Sequence, residues 1–286
     1  MSAVSSKLYS ILFADDSNLF MSGTDIDTMI STMNCELTNV VTWLNTNKLS
    51  LNVDKCNYMI FSQRLSSPKH VVSINGSSID RVYYTKFLGV IIDHKLSWRE
   101  HINFIKGKIS KSIGILRRGR CLLKAETLQT LYYSFLYPYF SYCIEIWGFT
   151  YTTYLEPLNI LQKKIVRIIT SSSYREHTAP LFDKLKILNL SKLVSFRMCL
   201  FLFKYVNNDL PDCFSYMFVR NSEIHAYHTR QSNWFNVPRI RTDLSKHSFK
   251  YNAIRLYNAS LCCCNYTFNY PRFKKQVKSC ILKDYF

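Results

Sequence analysis

The stretch "SILFADDSNLFMSG", residues 10–23, places two adjacent aspartates, Asp15 and Asp16, between two apolar runs. Ile11, Leu12 and Phe13 read as a short buried strand, and Leu19, Phe20 and Met21 as a second. Strands so close in sequence need a tight connection, and Ala14-Asp15-Asp16-Ser17-Asn18 is good turn material. The segment is expected to be a β-hairpin with an acidic tip. Two readings of that tip stand open: a solvated turn, or a holder for a divalent cation.

Outward from the hairpin, Ile26, Ile30, Met33, Leu37, Val40 and Leu44 recur at alternating steps of four and three, the period of an amphipathic helix. Thr24 is placed to cap it, with Asp25 and Asp27 at the positive end of its dipole. Residues 58–61 then read as a strand, Asn75-Gly76 in "VVSINGSSI" as a hairpin turn, and "VYYTKFLGVIID", residues 82–93, as a further strand. Residues 1–96 thus predict an α+β layer in which one helix covers a face of the strands.

From Trp98 the period changes. Trp98, Ile102, Ile105, Ile109, Ile113 and Leu116 make one apolar stripe, with Lys111 and Arg118 opposite it and Lys106, Lys108 and Arg117 on the flanks. Further helices are expected over residues 124–137, 155–169, 191–207, 247–258 and 272–285. Residues 220–243 lack a period and read as loop or short strands. The expected organisation is a mixed region over 1–96, a helical basic region over 97–210 and a mixed tail over 211–286.

The net charge of +18 is unevenly placed. Residues 1–60 hold three Lys/Arg against six Asp/Glu, a net of −3, whereas residues 97–286 hold 29 against 11, a net of +18. An acidic start joined to a basic remainder points to a metal or catalytic region attached to a polyanion-binding region. Ten cysteines occur without any C-x-x-C pair, and the Cys262-Cys263-Cys264 run has neither the spacing nor the histidine partners of a zinc site. No secretory signal opens the sequence, so the thiols are read as reduced and the compartment as intracellular, nuclear or cytoplasmic. Residues 131–149 are apolar but contain Pro138 and Glu145, so they read as buried helices rather than a membrane span. Trp147, Tyr139 and Phe140 are expected in the core, and His177, His225 and His228 lack ligand spacing.

The blocks "ILFADDSNLF", "WLNTNKLSLNVDKCNYMIF" and "KFLGVIIDHKLSWREHI" resemble, in order, three blocks of the reverse transcriptases of non-LTR, jockey-like retrotransposons. "KISKSIGIL", "PYFSYCIEIWG", "LEPLNILQKKIVRII", "HTAPLFDKLKIL" and "AYHTR" resemble the tail of the same reading frames. The resemblance runs from about Ser5 to the terminus. It implies a partial polymerase palm over 1–96, a mostly α-helical thumb over 97–210 and a family-type tail. Asp15 and Asp16 match the paired catalytic aspartates, which in the family hold Mg2+ (or Mn2+) for nucleotidyl transfer to a primer 3′ end. Asp15 is implied as the direct ligand and Asp16 as the supporting one.

Lys55 matches a basic position that steadies the departing pyrophosphate; a solvated loop lysine is the other reading. Phe87, Leu88 and Gly89 match the block that grips the primer, and ordinary strand burial is the alternative for the first two. Lys106, Lys108, Lys111, Arg117 and Arg118 would track phosphates. The implied partners are an RNA template, a DNA primer and deoxynucleoside triphosphates, with no membrane. The family's fingers, and an earlier palm strand with a third catalytic aspartate, have no counterpart here. "LYNASL", residues 256–261, also departs from a family stretch rich in Trp, Asn and Pro. The expectation is therefore a truncated, inactive reverse transcriptase. A noncatalytic nucleic-acid-binding remnant is the rival, and a metal-dependent nuclease using Asp15 and Asp16 a third reading.

Overall fold

The computed structural model describes residue 5 and residues 7–62, 70–224, 227 and 229–284. The chain divides into two compact units, Met1–Leu96 and Ser97–Phe286. Helix accounts for 54% of it and strand for 10%, so the mixed fold is dominated by helix and its sheets are small.

In the first unit, β1 (Tyr9–Phe13) pairs antiparallel with β2 (Asp16–Phe20), Tyr9 lying opposite Phe20 and Phe13 opposite Asp16. Helix α1 (Ile26–Thr46) follows. Its cap is Asp25 and not Thr24: the Asp25 carboxylate accepts the Thr28 N–H at 2.8 Å, from an extended backbone that suits an N-cap. The strand expected over 58–61 is only the two residues of β3 (Asn57–Tyr58), which runs parallel to β6 (Asp80–Arg81). Between them β4 (Ser73–Ile74) and β5 (Ser77–Ser78) form the hairpin expected at Asn75-Gly76, both turn residues having positive φ.

Residues 82–93 are a hairpin rather than one strand. β7 (Tyr84–Phe87) turns at Leu88-Gly89, with φ of 44° and 86°, into β8 (Val90–Asp93). Among the described residues the strands make four separate two-stranded sheets. A thin core draws three of them together: Ile30, Leu37 and Val41 of α1 meet Val72, Ile74 and Ile79, with Leu19 of β2 and Tyr58 of β3 packed at its edge, while no described residue of the β7–β8 hairpin takes part.

The second unit is helical. Helix α2 (Arg99–Gly119) buries Ile102, Ile105, Ile109, Ile113 and Leu116, the stripe its sequence period demands. It is followed by α3 (Ala125–Leu131), a π-helical turn at Tyr132–Leu136, and α4 (Tyr137–Ser141). Pro138 has no N–H to donate one turn back, and the wider turn just before it accommodates that gap. Then come α5 (Ile144–Trp147), α6 (Thr152–Ile169), α7 (Ala179–Leu185) and α8 (Leu190–Val206).

Residues 220–243 hold α9 (Asn221–Ile224) and an isolated bridge between Arg220 and Phe235, before α10 (Asp243–Lys246). Helices α11 (Phe249–Ser260) and α12 (Tyr270–Leu282) pack on α8, while α2 packs on α6. One core takes in Trp147, Phe140, Met198, Phe235 and Phe273, so residues on both sides of position 210 share it. No described helix is long and apolar enough to cross a membrane. His225 and His228 lie outside the described residues, as does part of the "AYHTR" block.

Candidate functional site

The hairpin that carries the aspartates is tighter than its sequence suggests. Only Ala14 and Asp15 lie between the strands; Asp16, Ser17 and Asn18 are already in β2. A two-residue connection between antiparallel strands requires a left-handed residue, and Ala14 supplies it at φ 50°. Asp15 therefore sits at the tip, and Asp16 in the first cross-strand pair.

Strand alternation fixes what shares a face with Asp16. Asn18 and Phe20 of β2 lie on its side, opposite Ile11 and Tyr9 of β1, while Leu19 points the other way, to the core. The expected burial of the first strand is overturned. Leu12 and Phe13 are 52% and 57% exposed, and the Tyr9 and Phe20 rings, 6.4 Å apart, are also open to solvent. The physical reason is that α1 covers the 72–79 hairpin, and among the described residues of β1 and β2 Leu19 alone packs against that core. An apolar residue in a strand is buried only where a second layer meets it.

Both carboxylates are exposed. Among the described residues neither Asp15 nor Asp16 enters an ion pair, and no third carboxylate, histidine or thiol joins them in a ligand cluster. Asp25, the next acidic residue along the chain, caps α1. The donor chemistry nevertheless fits Mg2+, which takes one or two carboxylates from a protein and fills its shell with water and phosphate oxygens. Beside Asp16 on the same face, the Asn18 side-chain Nδ2 is buried with no acceptor among the described residues. A buried donor without an acceptor is costly, and a ligand oxygen would satisfy it.

The remaining residues singled out by sequence are dispersed. Lys55 ends the single helical turn Val53–Lys55 and is exposed, with no ion pair among the described residues. Leu88 and Gly89 form the tip of the β7–β8 hairpin, so the positive φ of Gly89 serves chain reversal; Phe87 is half-buried on β7. In the second unit, Lys106, Lys108, Lys111, Arg117 and Arg118 are all exposed on α2, and among the described residues none of them meets a carboxylate. The Lys108 ammonium lies over the ring of Phe104, 5.5 Å from its centre. The contrast with α6 is useful, since Lys163 there is neutralised by Glu156 at 3.7 Å. Helix α2 offers uncompensated positive charge along its outer side.

One grouping escaped the sequence reading. Cys280 of α12 meets Cys263 and Cys264, with all three sulfurs within 4.8 Å of one another. Cys280 lies sixteen positions after Cys264, and no spacing rule connects them; the packing of α12 against the turn after α11 does.

The chain is similar to curated proteins named RNA-directed DNA polymerases. It is 28% identical over 143 residues to the "RNA-directed DNA polymerase from mobile element jockey" of Drosophila funebris, a match covering 49% of this chain and 15% of that protein. Against the jockey protein of Drosophila melanogaster it is 26% identical over 180 residues, 61% of this chain and 19% of the relative. The "Probable RNA-directed DNA polymerase from transposon X-element" of the same species is 25% identical over 149 residues, 51% of this chain and 16% of its own length. The chain thus spans less than a fifth of these relatives. No family model matches it. No solved structure matches it either.

Proposed function

We propose that the chain is part of a non-LTR retrotransposon reverse transcriptase, with late palm over residues 1–96, thumb over 97–210 and tail over 211–286. One observation carries the reading. A two-residue turn holds adjacent carboxylates at a hairpin tip, in a chain similar to RNA-directed DNA polymerases. Asp15 would bind Mg2+ or Mn2+ directly and Asp16 would support it. When bound, the ion acidifies a primer 3′-hydroxyl and steadies leaving phosphates. Asn18 would donate its free N–H to an oxygen of the bound ligand. Lys55 and the Phe87-Leu88-Gly89 hairpin are assigned to the pyrophosphate and the primer end. The outer side of α2 would follow the phosphates of an RNA template and DNA primer.

Two carboxylates neutralise only part of the charge of a two-ion centre. The chain by itself is therefore expected to bind primer–template and not to consume deoxynucleoside triphosphates. The uncompensated cations of α2 equally favour the second reading, a noncatalytic nucleic-acid-binding chain, and the two differ at Asp15. The deciding experiment pairs primer extension on an RNA template with Mn2+ titration followed by NMR. Expected are no extension, and line broadening at residues 13–18 that disappears in Asp15→Asn while the fold persists. Template-dependent extension that vanishes in Asp15→Asn would show that another carboxylate completes the centre. An absence of any Mn2+ response, with nucleic-acid binding intact, would leave the noncatalytic reading in possession.

A further inference from the structure

We propose that Cys263, Cys264 and Cys280 form a three-thiolate site for a thiophilic d10 cation, Zn2+ in the first instance, that ties the α11–α12 turn to α12. The sulfurs of Cys263 and Cys264 lie 3.7 Å apart. With Zn–S bonds near 2.3 Å, the edge of a tetrahedron is roughly 3.8 Å, so this pair already stands at a ligand–ligand spacing. Cys280 lies within 4.8 Å of both, and small side-chain rotations close that gap.

The chemistry of the shell fits a soft ion. Cys264 and Cys280 are buried and Cys263 is half-buried, which gives one side of entry and two protected ligands. Among the described residues no carboxylate or histidine belongs to the cluster, and an all-sulfur set selects Zn2+ or Cu+ over Mg2+ or Ca2+. Each thiol that ligates gives its proton to solvent, so Zn2+ with three thiolates leaves a net charge of −1. Helix α12 carries Arg272, Lys274, Lys275 and Lys278 and no acidic residue, a setting that favours an anionic complex.

The site is also held from outside. Gln276 of α12 donates to the Cys263 carbonyl at 2.8 Å and accepts the Asn265 N–H at 3.1 Å, and Ser260 shares a 2.7 Å hydrogen bond with Tyr266. These contacts fix the turn that presents two of the three sulfurs before any ion arrives. Cys199 of α8 is fully buried in the same core but is not one of the clustered thiols, so the fourth position is left to water or an exogenous ligand.

The test uses the full chain, purified under reducing conditions and stripped with a chelator. Titration with Co2+ should give one equivalent of binding, with sulfur-to-cobalt charge transfer in the near ultraviolet, and Zn2+ should displace it. Cys280→Ser should weaken binding by more than about 100-fold, beyond the loss caused by removing a supporting hydrogen bond. Should Cys280→Ser not fold, half-buried Cys263→Ser carries the same expectation. Cys262→Ser, at an exposed position next in sequence, should change nothing. The proposal is overturned by an absence of the charge-transfer band, by an equal band in Cys280→Ser or Cys263→Ser, or by a Cys263–Cys280 disulfide in freshly purified, metal-free protein.

Discussion

The two units bury apolar side chains on different scales. Among the described residues the second unit joins forty into one core, from Ile102 on α2 to Ile281 on α12, whereas the first joins six. In the second, helices meet on several sides and each apolar stripe finds a partner. In the first, strands of two to five residues stay in separate pairs, and the aspartate hairpin touches the core through Leu19. The catalytic candidate thus lies on the thinly supported part and the polyanion-binding candidate on the thickly supported part. Stability and function should respond to different substitutions.

The largest effect should come from the thick core. Trp147 is fully buried, and its Nε1–H donates to the Tyr142 carbonyl at 2.9 Å. Trp147→Ala removes the ring and its hydrogen bond, at a cost of about 3–5 kcal/mol in urea unfolding of the second unit. Phe13→Ala, on an equally aromatic but exposed position, should shift stability by less than about 0.5 kcal/mol. Similar losses for the two would break the comparison.

Next is a pH effect confined to the helical unit. His101 is buried beside Trp147, with the rings 5.6 Å apart, and burial pushes its imidazole down from 6.5 to about 4. The folded protein resists taking up this proton while the unfolded chain accepts it readily. Stability is therefore full above pH 6.5 and falls as pH drops from there to about 4, by up to about 3 kcal/mol. Unfolding curves at pH 7 and pH 4.5 measure it, and His101→Gln should flatten this part of the dependence. An unchanged slope in that variant would assign the acid sensitivity to other groups.

The contrast also explains what could be read from the sequence. Helix α2 was legible because five successive steps of three or four link the apolar residues from Trp98 to Leu116, and the structure buries that stripe from Ile102 on. Asn75-Gly76 was legible because few residues accept two positive φ values in a row. Leu88-Gly89 was not, since a leucine at a turn hides inside an apolar run. Leu12 and Phe13 misled for a related reason: hydrophobicity marks which residues could be buried, and only tertiary layering decides which are. The cysteine cluster is the extreme case, because its third sulfur is supplied by helix packing. Of the site itself, the acidic hairpin was legible and its two-residue turn was not.

A smaller effect should appear in binding. Lys106→Ala, Lys108→Ala and Lys111→Ala together remove three exposed cations of α2 and leave its buried stripe intact. If each meets a phosphate, the slope of log affinity against log salt for a duplex should fall by roughly 2–3, at about 0.9 per phosphate. Folding should be unaffected. An unaltered slope would move the interface off this helix.

The smallest effect tests the turn at the aspartates. Ala14 is held at φ 50°, where a Cβ is disfavoured, and glycine relieves that cost while losing more chain entropy on folding. Ala14→Gly should therefore stabilise the β1–β2 hairpin by no more than about 1 kcal/mol. Among the described residues the hairpin pairs with no other strand and Leu19 is its one residue packed on the core, so it is expected to open without the rest of the unit unfolding. The gain should then appear as slower hydrogen exchange of β1 and β2 amides, by up to roughly fivefold, with no change in global melting. Gly76→Ala supplies the opposite sign. A Cβ there meets nothing within 4 Å, so only the backbone at φ 80° is at issue, and exchange in the β4–β5 hairpin should quicken. Because that hairpin is tied into the core by Ile74, global stability should fall with it. If Ala14→Gly instead shifts global melting as much as Gly76→Ala does, the aspartate hairpin is built into the fold as firmly as the rest, and its placement on the thin side of the molecule is wrong.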